Sequence, residues 1–245
     1  MTRRPDMVEL KIKNKNETYN VNPSKIVALG LNYRDHIAES HSVRVRGFDP
    51  EEPEEPVLFA KTPNCLIGPG EPIIIPAFID EYGFEDPRVD HEAELAFVIG
   101  TECKNVPESE AYEVIYGFTC LNDVSQRNIQ TGDKSGWFRG KSFDTFGPIG
   151  PELVLKEDIG DPQNLSVECR VNGKTVQSSN TKMMIFQIPT IVAFISKNFR
   201  LYPGDVITTG TPSGVSKLSH GDVVEVEIEN IGILKNPVVE EGKSQ

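Results

Sequence analysis

The sequence predicts a single α+β domain built on mixed or antiparallel β-sheets. Segments with the apolar, β-branched composition of strands outnumber segments with helical spacing. The two kinds of segment do not alternate regularly, as they would in a doubly wound parallel fold. The 20 glycines and 18 prolines are scattered along the 245 residues, which indicates many short elements joined by turns.

Apolar segments bounded by glycine, proline or charged residues predict the strands of these sheets. In chain order they are 8–12, 25–30, 57–61, 72–76, 91–100, 116–123, 165–171, 205–210 and 222–228. The strongest turn signal is Asn172-Gly173, a dipeptide that two-residue hairpin turns favour. It predicts a hairpin directly after the strand at 165–171.

Short helices are predicted between the strands. They cover 32–40, 107–117, roughly 124–131 and 188–197. Asn32 is available as the N-cap of the first helix, and Pro107 with acidic neighbours opens the second. Residues 41–56 are acidic and broken by prolines, so they predict a surface loop. Residues 136–148 are rich in glycine and aromatic residues without periodicity, which is typical of a structured loop.

The charge and the cysteine content exclude several classes of partner. The formal net charge is −12, and no basic patch is available to meet the phosphates of a nucleic acid. The four cysteines are widely spaced and form no Cys-x-x-Cys pair, which favours reduced cytosolic thiols over a disulfide framework or a zinc site. The N-terminal region lacks the apolar stretch of a signal peptide, and no apolar run approaches about 18 residues. We therefore expect a cytoplasmic protein that binds neither nucleic acid nor membranes.

The segment 91–100 places an acidic pair at the start of an apolar strand. Glu92 and Glu94 are two residues apart, so on a strand their side chains share one face and lie roughly 7 Å apart. Two inward-facing like charges are costly unless a cation neutralises them. Asp123, at the end of a second strand, adds a third carboxylate. Three carboxylates without a thiolate or histidine cluster predict a site for Mg²⁺, Mn²⁺ or Ca²⁺, whereas the ordinary alternative is a solvated strand edge.

Three further groups are candidates for catalysis or binding. His36 and Glu39 are three residues apart and share one face of the first predicted helix. Lys141 lies within the structured loop, and the turn at 209–214 is rich in main-chain donors. Taken singly, these groups have ordinary interpretations as a surface helix pair, a solvated lysine and a tight turn.

Six blocks of residues together resemble the single-domain members of the fumarylacetoacetate hydrolase family, such as acylpyruvate hydrolases and 2-hydroxyhepta-2,4-diene-1,7-dioate isomerases. The blocks are Gly30-x-Asn32-Tyr33-x-x-His36-x-x-Glu39, Pro56-Val57-Leu58-Phe59-x-Lys61, His91-Glu92-x-Glu94-Leu95, Asn122-Asp123-Val124-Ser125-x-Arg127, Lys141-Ser142-Phe143-Asp144 and Pro203-Gly204-Asp205-Val206-Ile207-x-Thr209-Gly210-Thr211-Pro212-x-Gly214-Val215. The resemblance implies an α+β fold, a mixed β-sheet roll of the fumarylacetoacetase C-terminal-domain type. It also implies a short N-terminal segment at 1–24, a catalytic domain at 25–240 and a homodimer.

The same resemblance implies a metal centre. In it, Glu92, Glu94 and Asp123 would hold Mg²⁺ or Mn²⁺, for which Ca²⁺ could substitute. The ion would chelate adjacent oxygens of a 2-oxo acid or of its enolate, acting as a Lewis acid and a template.

Roles for the remaining candidates follow from the resemblance as well. His36, oriented and kept basic by Glu39, would activate water as the general base. Lys141 would stabilise the developing enolate or oxyanion. Gln130 and Thr211 would hold the carboxylate or carbonyl oxygens of the substrate.

These roles predict a divalent-metal-dependent hydrolase that cleaves a C–C bond in a 2,4-dioxo acid of the acylpyruvate type. Cleavage beside a carbonyl needs a place for the electron pair, and an enolate supplies it. The same chemistry serves decarboxylation and keto–enol isomerisation. The alternatives are therefore a diene-dioate isomerase of aromatic catabolism, an oxaloacetate-type decarboxylase and, more remotely, a non-catalytic metal- or ligand-binding domain.

Two segments look like insertions relative to minimal family members. The acidic loop at 41–56 directly follows the His36–Glu39 helix, and our hypothesis is that it acts as a lid that brings Glu39 over the metal. The charged segment at 80–90 suggests no function from its sequence.

Overall fold

The structure, a computed structural model, describes residues 8–39, 52–132, 134 and 137–243. For residues 38 and 39 it describes the main chain alone. Its strands are β1 Val8–Ile12, β2 Thr18–Val21, β3 Ile26–Gly30, β4 Val57–Lys61, β5 Leu66–Ile67, β6 Ile73–Ile75, β7 Val89–Asp90, β8 Ala93–Ile99, β9 Ile115–Asn122, β10 Ser125–Gln126, β11 Gly147–Leu155, β12 Ser166–Val171, β13 Lys174–Asn180, β14 Val206–Thr208, β15 Val223–Ile228 and β16 Gly232–Glu240. Strands dominate the described residues, and the predicted α+β class is confirmed.

The strands form a large mixed sheet and a smaller second sheet. The large sheet follows the order β2-β1-β11-β9-β8-β14-β3-β4, with β5 paired to β11. The pairs β1–β11, β5–β11 and β14–β3 are parallel, whereas the other neighbours in this sheet are antiparallel. The second sheet has the order β13-β12-β15-β16-β6, and β7 and β10 form a separate ladder.

Short helices connect these strands. The α-helices are α1 Arg34–Glu39, α2 Arg127–Gly132, α3 Phe138–Lys141 and α4 Ile188–Asn198. The 3-10 helices are Pro63–Cys65, Ala77–Tyr82, Glu108–Val114 and Thr181–Met183. The helix α4 buries Ile188, Ile191, Val192 and Ile195, which recur at the spacing of one helical face. That face packs α4 onto the protein core.

The strand β8 lies at the centre of the fold. All seven of its residues are buried: β9 and β14 flank it within the sheet, and β12 and β15 of the second sheet pack against it. Phe97 on β8 and Phe118 on β9 pack with their ring centroids 6.2 Å apart. The metal-ligand candidates lie at one end of this rigid pair of strands, where packing fixes the main chain.

The N-terminal strands belong to the same sheet as the centre of the fold. β1 pairs with β2 on one side and with β11 on the other. Its burial alternates as the sequence predicts, with Leu10 facing the core and Lys11 facing outward. The boundary between 24 and 25 stays a prediction, and the strands before it contribute buried side chains to the common core.

The predicted helix at 107–117 is wrong. Residues Glu108–Val114 form a 3-10 helix, and Ile115 begins the strand β9. The β-branched and aromatic run from Val114 to Tyr116 suits a pleated surface. Pairing with β8, in which Ile115 lies opposite Ile99, decides the conformation in favour of the strand.

The long strand β11 was not predicted, because its first residues, Gly147-Pro148-Ile149-Gly150-Pro151, suggest a loop. The pairing of β11 with β9 shifts register between Gly150 and Val154. Proline is tolerated in a sheet at such an irregularity, where a ladder hydrogen bond is already missing. The strands β2 and β16 were likewise absent from the prediction.

Asn32 does not cap α1. Its side-chain amide donates to the carbonyl oxygens of Phe186 (3.1 Å) and Thr209 (2.8 Å), and its oxygen accepts the Phe186 N–H (2.7 Å). Asn32 therefore holds the turn after β14 against the loop before α4. This tertiary role overrides the local preference of asparagine for a helix N-terminus.

Other predicted elements begin or end a few residues away from their predicted bounds, or correspond to two shorter elements in the structure. The helix predicted at about 124–131 is the strand β10 followed by α2, and the loop at 136–148 contains α3 and the start of β11. The hairpin predicted from Asn172-Gly173 is confirmed as β12–β13. Most of the loop at 41–56 lies outside the described residues, so the lid stays a prediction. Among the described residues, no helix has the length and apolar character needed to span a bilayer.

We predict that Leu10→Ala lowers the free energy of unfolding by about 2–5 kcal/mol, the usual cost of emptying a packed leucine site. Lys11→Ala, at the exposed neighbouring position, should change it by less than about 0.5 kcal/mol. Urea unfolding of both variants tests this. Equal, small effects would contradict the placement of β1 in the common core.

Candidate active site

The ends of β8 and β9 bring the acidic residues together. The Asp123 N–H donates to the Glu92 carbonyl oxygen (2.8 Å), and the side-chain oxygen of Asn122 accepts the Glu92 N–H (2.9 Å). In the antiparallel register, Ala93 lies opposite Asn122 and Glu94 opposite Leu121. These bonds fix the main chain on both sides of each candidate ligand.

Glu92, Glu94 and Asp123 form a buried acidic triad. One carboxylate oxygen from each residue lies within 4.8 Å of the others. Burial, followed by the charges of Asp123 and Glu92, raises the pKa of Glu94 well above its ordinary value. Three converging oxygen ligands with mutual repulsion fit a hard divalent cation such as Mg²⁺ or Mn²⁺, which would return Glu94 to its charged form.

Two buried lysines compensate the triad. Lys141 donates to Glu92 Oε2 and to Asp123 Oδ2, each at 2.6 Å. Lys61, on β4, forms an ion pair with Asp123 Oδ1 (2.7 Å) and donates to the carbonyl oxygens of Lys141 and Phe146. Burial is the largest single influence on the pKa of Lys61 and lowers it, but the charges of Asp123, Cys65 and Glu92 and the hydrogen bond to Asp123 together outweigh burial, so the net shift is upward. Lys61 thus holds both Asp123 and the main chain of Lys141.

Arg127 supports the triad from α2. Its guanidinium bonds Glu92 Oε1, Asp90 Oδ2 (2.8 Å) and Gln130 Oε1 (2.7 Å). Burial raises the pKa of Glu92, but the positive charges of Lys141, Arg127 and His36 outweigh burial and hold this pKa below its ordinary value. Glu92 therefore favours its ionised form, whereas Glu94 favours the neutral form.

A small cavity opens onto this cluster and encloses about 20 Å³. That volume holds roughly one water molecule or one metal ion. Its lining combines two chemically different walls. The polar wall consists of His36, Glu92, Glu94, Arg127, Gln130, Lys141 and Thr211, and the opposite wall of Leu29, Gly30, Leu31, Phe59 and Trp137.

The apolar wall is tightly packed. Phe59 and Trp137 meet edge to face with their centroids 5.3 Å apart, and the Lys141 ammonium lies 5.1 Å from the Phe59 centroid. A Cβ atom on Gly30 would lie 2.2 Å from the Trp137 ring. The glycine therefore allows the indole to close over the site.

The turn after β14 completes the cavity. The Gly210 N–H donates to Glu94 Oε2 (2.9 Å), and the Thr211 hydroxyl donates to the Ala93 carbonyl oxygen (2.9 Å). Gly210 has a φ of +87°, and a Cβ atom there would lie 2.9 Å from the Asn32 Cβ. Glycine therefore suits this position for both conformation and space.

The structure brings most of the predicted site residues to this one cavity. They are His36, Glu92, Glu94, Gln130, Lys141 and Thr211 as lining residues, with Asp123 bonded to Lys141 behind them. Glu39 ends α1, but its side chain lies outside the described part of the chain. Its predicted role beside His36 stays a prediction.

Sequence reasoning assigned no role to four residues at the site. Lys61 and Arg127 occupy fixed positions in the family-like blocks, and those positions alone could have indicated that both residues belong to the site. Asp90 lies in the charged 80–90 segment, where its neighbours indicated only a loop. Gln177 lies in the hairpin strand β13, and nothing in its local sequence indicates that it reaches the site.

Comparison with known proteins assigns the chain to one family. The family model described as fumarylacetoacetate (FAA) hydrolase C-terminal matches residues 25–239. The chain belongs to the fumarylacetoacetate hydrolase family. The relatives that carry enzyme names are hydrolases, isomerases and tautomerases. The chain is therefore an enzyme, and the non-catalytic alternative is set aside.

Three relatives illustrate the range of this family. The chain is 46% identical to the mitochondrial oxaloacetate tautomerase fahd2 of Xenopus laevis, across 89% of the chain and 66% of the relative. The 5-carboxymethyl-2-hydroxymuconate delta-isomerase of Mycobacterium smegmatis is 38% identical, with a TM-score of 0.79 over 99% of the chain and 93% of the relative. A fumarylpyruvate hydrolase from Pseudomonas aeruginosa, solved with Mn²⁺ and pyruvate, is 28% identical, with a TM-score of 0.82 over 96% and 97%.

We predict that Glu94→Gln abolishes stabilisation by metal while leaving the metal-free fold intact. The neutral amide resembles the form that burial and the neighbouring carboxylates favour. At 100 times the dissociation constant, Mn²⁺ should stabilise the wild type by about 2.7 kcal/mol, whereas the variant should gain little.

Thermal unfolding with and without Mn²⁺ measures this difference. Glu9→Gln is the matched control, because Glu9 is exposed on β1. Full retention of the metal effect in Glu94→Gln would remove Glu94 from the ligand set.

We also predict that Lys61→Met destabilises the metal-free protein by about 3–5 kcal/mol, because one charge that pairs with the fully buried Asp123 is lost. Mg²⁺ should recover part of the loss by supplying positive charge to the same carboxylate. Lys174→Met, at an exposed position, should cost less than about 0.5 kcal/mol. Denaturant titrations with and without Mg²⁺ test this, and an equally small loss in both variants would contradict the role of Lys61.

Proposed function

We propose that this chain is a divalent-metal-dependent enzyme that forms and protonates the enolate of a small 2-oxo acid. The observation that carries the proposal is the buried cluster in which Lys141 bonds two members of the acidic triad beside a cavity. Enolate formation develops negative charge on a carbonyl oxygen, and preorganised cationic groups stabilise such charge. We propose Glu92, Glu94 and Asp123 as the metal ligands, and Mg²⁺ or Mn²⁺ as the cation.

The bound cation would supply Lewis-acid polarisation of the 2-oxo group. The Lys141 ammonium, held by Glu92 and Asp123, would donate a hydrogen bond to the oxygen on which charge develops. The ammonium is held in place before any substrate binds. Glu92 and Asp123 accept its hydrogen bonds, and Lys61 donates to the main-chain carbonyl oxygen of Lys141. Catalysis by such a group costs little reorganisation.

His36 is the group we propose for proton transfer. It lines the cavity together with Glu92 and Glu94, and an imidazole exchanges protons near neutral pH. In keto–enol conversion an imidazole nitrogen would take the proton from the carbon beside the carbonyl. The electron pair then forms the C–C double bond, and the carbonyl oxygen accepts a proton.

Keto–enol conversion of oxaloacetate is the activity that we place first. The supporting observation is the 46% identity to a protein named oxaloacetate tautomerase, against 28% for the fumarylpyruvate hydrolase. The tautomerase reaction needs only an enolate site and one proton-transfer group, and for these roles we propose the acidic triad with Lys141 and the imidazole of His36.

Hydrolytic C–C cleavage of an acylpyruvate is the second candidate. His36 could direct water to the acyl carbonyl, after which the C–C bond breaks and its electron pair enters the pyruvate enolate. The likeness to a fumarylpyruvate hydrolase with Mn²⁺ and pyruvate supports this reaction. The isomerase of Mycobacterium smegmatis supports the third use of the same enolate, double-bond migration. The homodimer stays a prediction from the family resemblance.

We predict that the wild type with Mg²⁺ accelerates the ketonisation of enol-oxaloacetate, and that His36→Asn lowers kcat by about 100-fold or more. His220→Asn is the matched control, because His220 lies by the second sheet and accepts the Glu240 N–H. It should retain a kcat within about twofold of the wild type. Decay of the ultraviolet absorbance of the enol measures the rate, and an unchanged rate in His36→Asn would contradict the proton-transfer role.

A substrate panel separates the candidate reactions. It contains oxaloacetate, acetylpyruvate, fumarylpyruvate and a 2-hydroxy-diene-dioate. Pyruvate and a carboxylic acid labelled from ¹⁸O-water would indicate hydrolysis, CO₂ release would indicate decarboxylation, and double-bond migration without cleavage would indicate the isomerase. Hydrolysis of an acylpyruvate with no effect on oxaloacetate would overturn the first candidate in favour of the second.

A further inference from the structure

Gln177 crosses from the second sheet into the candidate active site. It lies on β13, opposite Cys169 of β12, and is 1% exposed. A primary amide can accept two hydrogen bonds at its oxygen and donate two from its nitrogen. Gln177 makes all four with residues of the two segments that form the site, the start of β8 and the turn after β14.

The orientation of the Gln177 amide follows from its partners. The Ala93 N–H can only donate, and it lies 3.0 Å from Gln177 Oε1. Nε2 therefore faces the Thr211 hydroxyl oxygen and the Pro212 carbonyl oxygen, each at 2.8 Å. The oxygen of the amide thus holds the strand that carries Glu92 and Glu94, and the nitrogen holds the turn.

His91 strengthens the strand side of this contact. The Ser216 N–H donates to His91 Nε2 (3.2 Å), so Nε2 acts as an acceptor and the ring proton lies on Nδ1. Nδ1 then donates to Gln177 Oε1 (3.1 Å). Two donors, one from each side of Glu92 in the sequence, therefore meet at a single oxygen of Gln177.

The Thr211 hydroxyl is engaged on both sides. It donates to the Ala93 carbonyl oxygen (2.9 Å) and accepts from Gln177 Nε2. Its hydrogen is therefore directed at the protein rather than at a ligand. The hydroxyl anchors the turn, and that turn contributes Gly210, which donates to Glu94, and lines the cavity.

The turn also rests directly on β13. Gly214 has a φ of +96°, and a Cβ atom there would lie 2.0 Å from the Val176 carbonyl oxygen. Only glycine allows the two main chains to approach this closely. The contact is independent of the Gln177 hydrogen bonds and places the same turn against the same strand.

We infer that Gln177 is a positioning residue that acts through the Thr211 hydroxyl to hold the 209–212 turn in register with the metal-ligand strand. A buried glutamine elsewhere in the core would need satisfied hydrogen bonds, but its partners would not all lie on two segments of one site. Loss of the two hydrogen bonds from Gln177 Nε2 to the turn, with the contacts of Oε1 kept, should therefore weaken substrate binding more than metal binding. This functional consequence rests on the proposed enolate chemistry, whereas the structural role does not.

The variant Gln177→Glu separates the hydrogen bonds of the amide oxygen, to the strand, from those of the amide nitrogen, to the turn. A carboxylate keeps an oxygen for the Ala93 and His91 donors, but it loses both donors to the turn. Thr211→Val removes the hydroxyl at nearly constant volume and gives a second route to the same loss. Gln187→Glu is the matched control, since Gln187 is exposed at the N-terminus of α4.

Hydrogen exchange on the metal-free protein tests the structural role without any substrate. Amides in a peptide over residues 205–216 should exchange at least about tenfold faster in Gln177→Glu and in Thr211→Val, as expected when buried hydrogen bonds are lost. The peptide over β8 and the control variant should match the wild type. Unchanged exchange of the turn in both variants would overturn the inference. This test holds even if the wild type turns over none of the panel substrates, because it needs no enzymatic activity.

Kinetics and ligand binding test the functional consequence. With a panel substrate that the wild type turns over, each variant should raise KM by about tenfold while kcat and the Mg²⁺ dissociation constant change by less than about threefold. The double variant should raise KM by less than the product of the two single effects, because both variants remove the same Gln177–Thr211 hydrogen bond. Trp137, the single tryptophan of the chain, lines the cavity and reports pyruvate binding by fluorescence in the presence of Mg²⁺. The inference would be overturned if the KM effects of Gln177→Glu and Thr211→Val were additive in the double variant. It would also be overturned if either variant lost as much affinity for Mg²⁺ as for substrate.

Discussion

The constraint on which this structure depends is the burial of three carboxylates within a few ångströms of one another. Charges removed from water are costly unless they are paired and hydrogen-bonded. Lys61, Lys141 and Arg127 supply the positive charge, and each approaches from a different element. The arrangement leaves Glu92 ionised and Glu94 biased towards its neutral form. An imbalance of this kind favours a divalent cation and explains why so many charged groups converge on one cavity.

The two sheets divide the task of holding this site. The large sheet sets β8 beside β9, so that Glu92 and Asp123 are fixed through main-chain bonds. The second sheet contributes side chains that brace the assembly from outside, with Gln177 as the connecting residue. The turn after β14 lies between the two sheets and contacts both. The sheets thus fix the acidic residues of the polar wall, whereas His36, which belongs to the same wall, lies on the short helix α1.

On the proposed function, one enolate-stabilising cluster would account for the range of activities named among the relatives. Tautomerisation, double-bond migration and C–C cleavage differ in which bond breaks, but each would place charge on the oxygen beside a carboxylate. Such a cluster would specify the class of intermediate, and the groups around it would select the substrate and the fate of the enolate. In this chain the neighbouring wall is apolar and includes Phe59 and Trp137, which helps to exclude water from the reacting centre.

The sequence by itself determined the features that local pattern can encode. The two-residue spacing of Glu92 and Glu94, the apolar run after them and the Asn172-Gly173 turn predicted an acidic strand and a hairpin, because strand periodicity and turn chemistry act over a few residues. Only the tertiary structure decided that Ile115 begins the strand β9 rather than continuing a helix, and only it decided the role of Asn32 between two loops and the roles of Lys61 and Gln177. Lys61 and Asp123 are far apart in sequence, as are Gln177 and Thr211. The partner that satisfies a buried polar group is set by how the sheets pack, and local sequence carries no record of it.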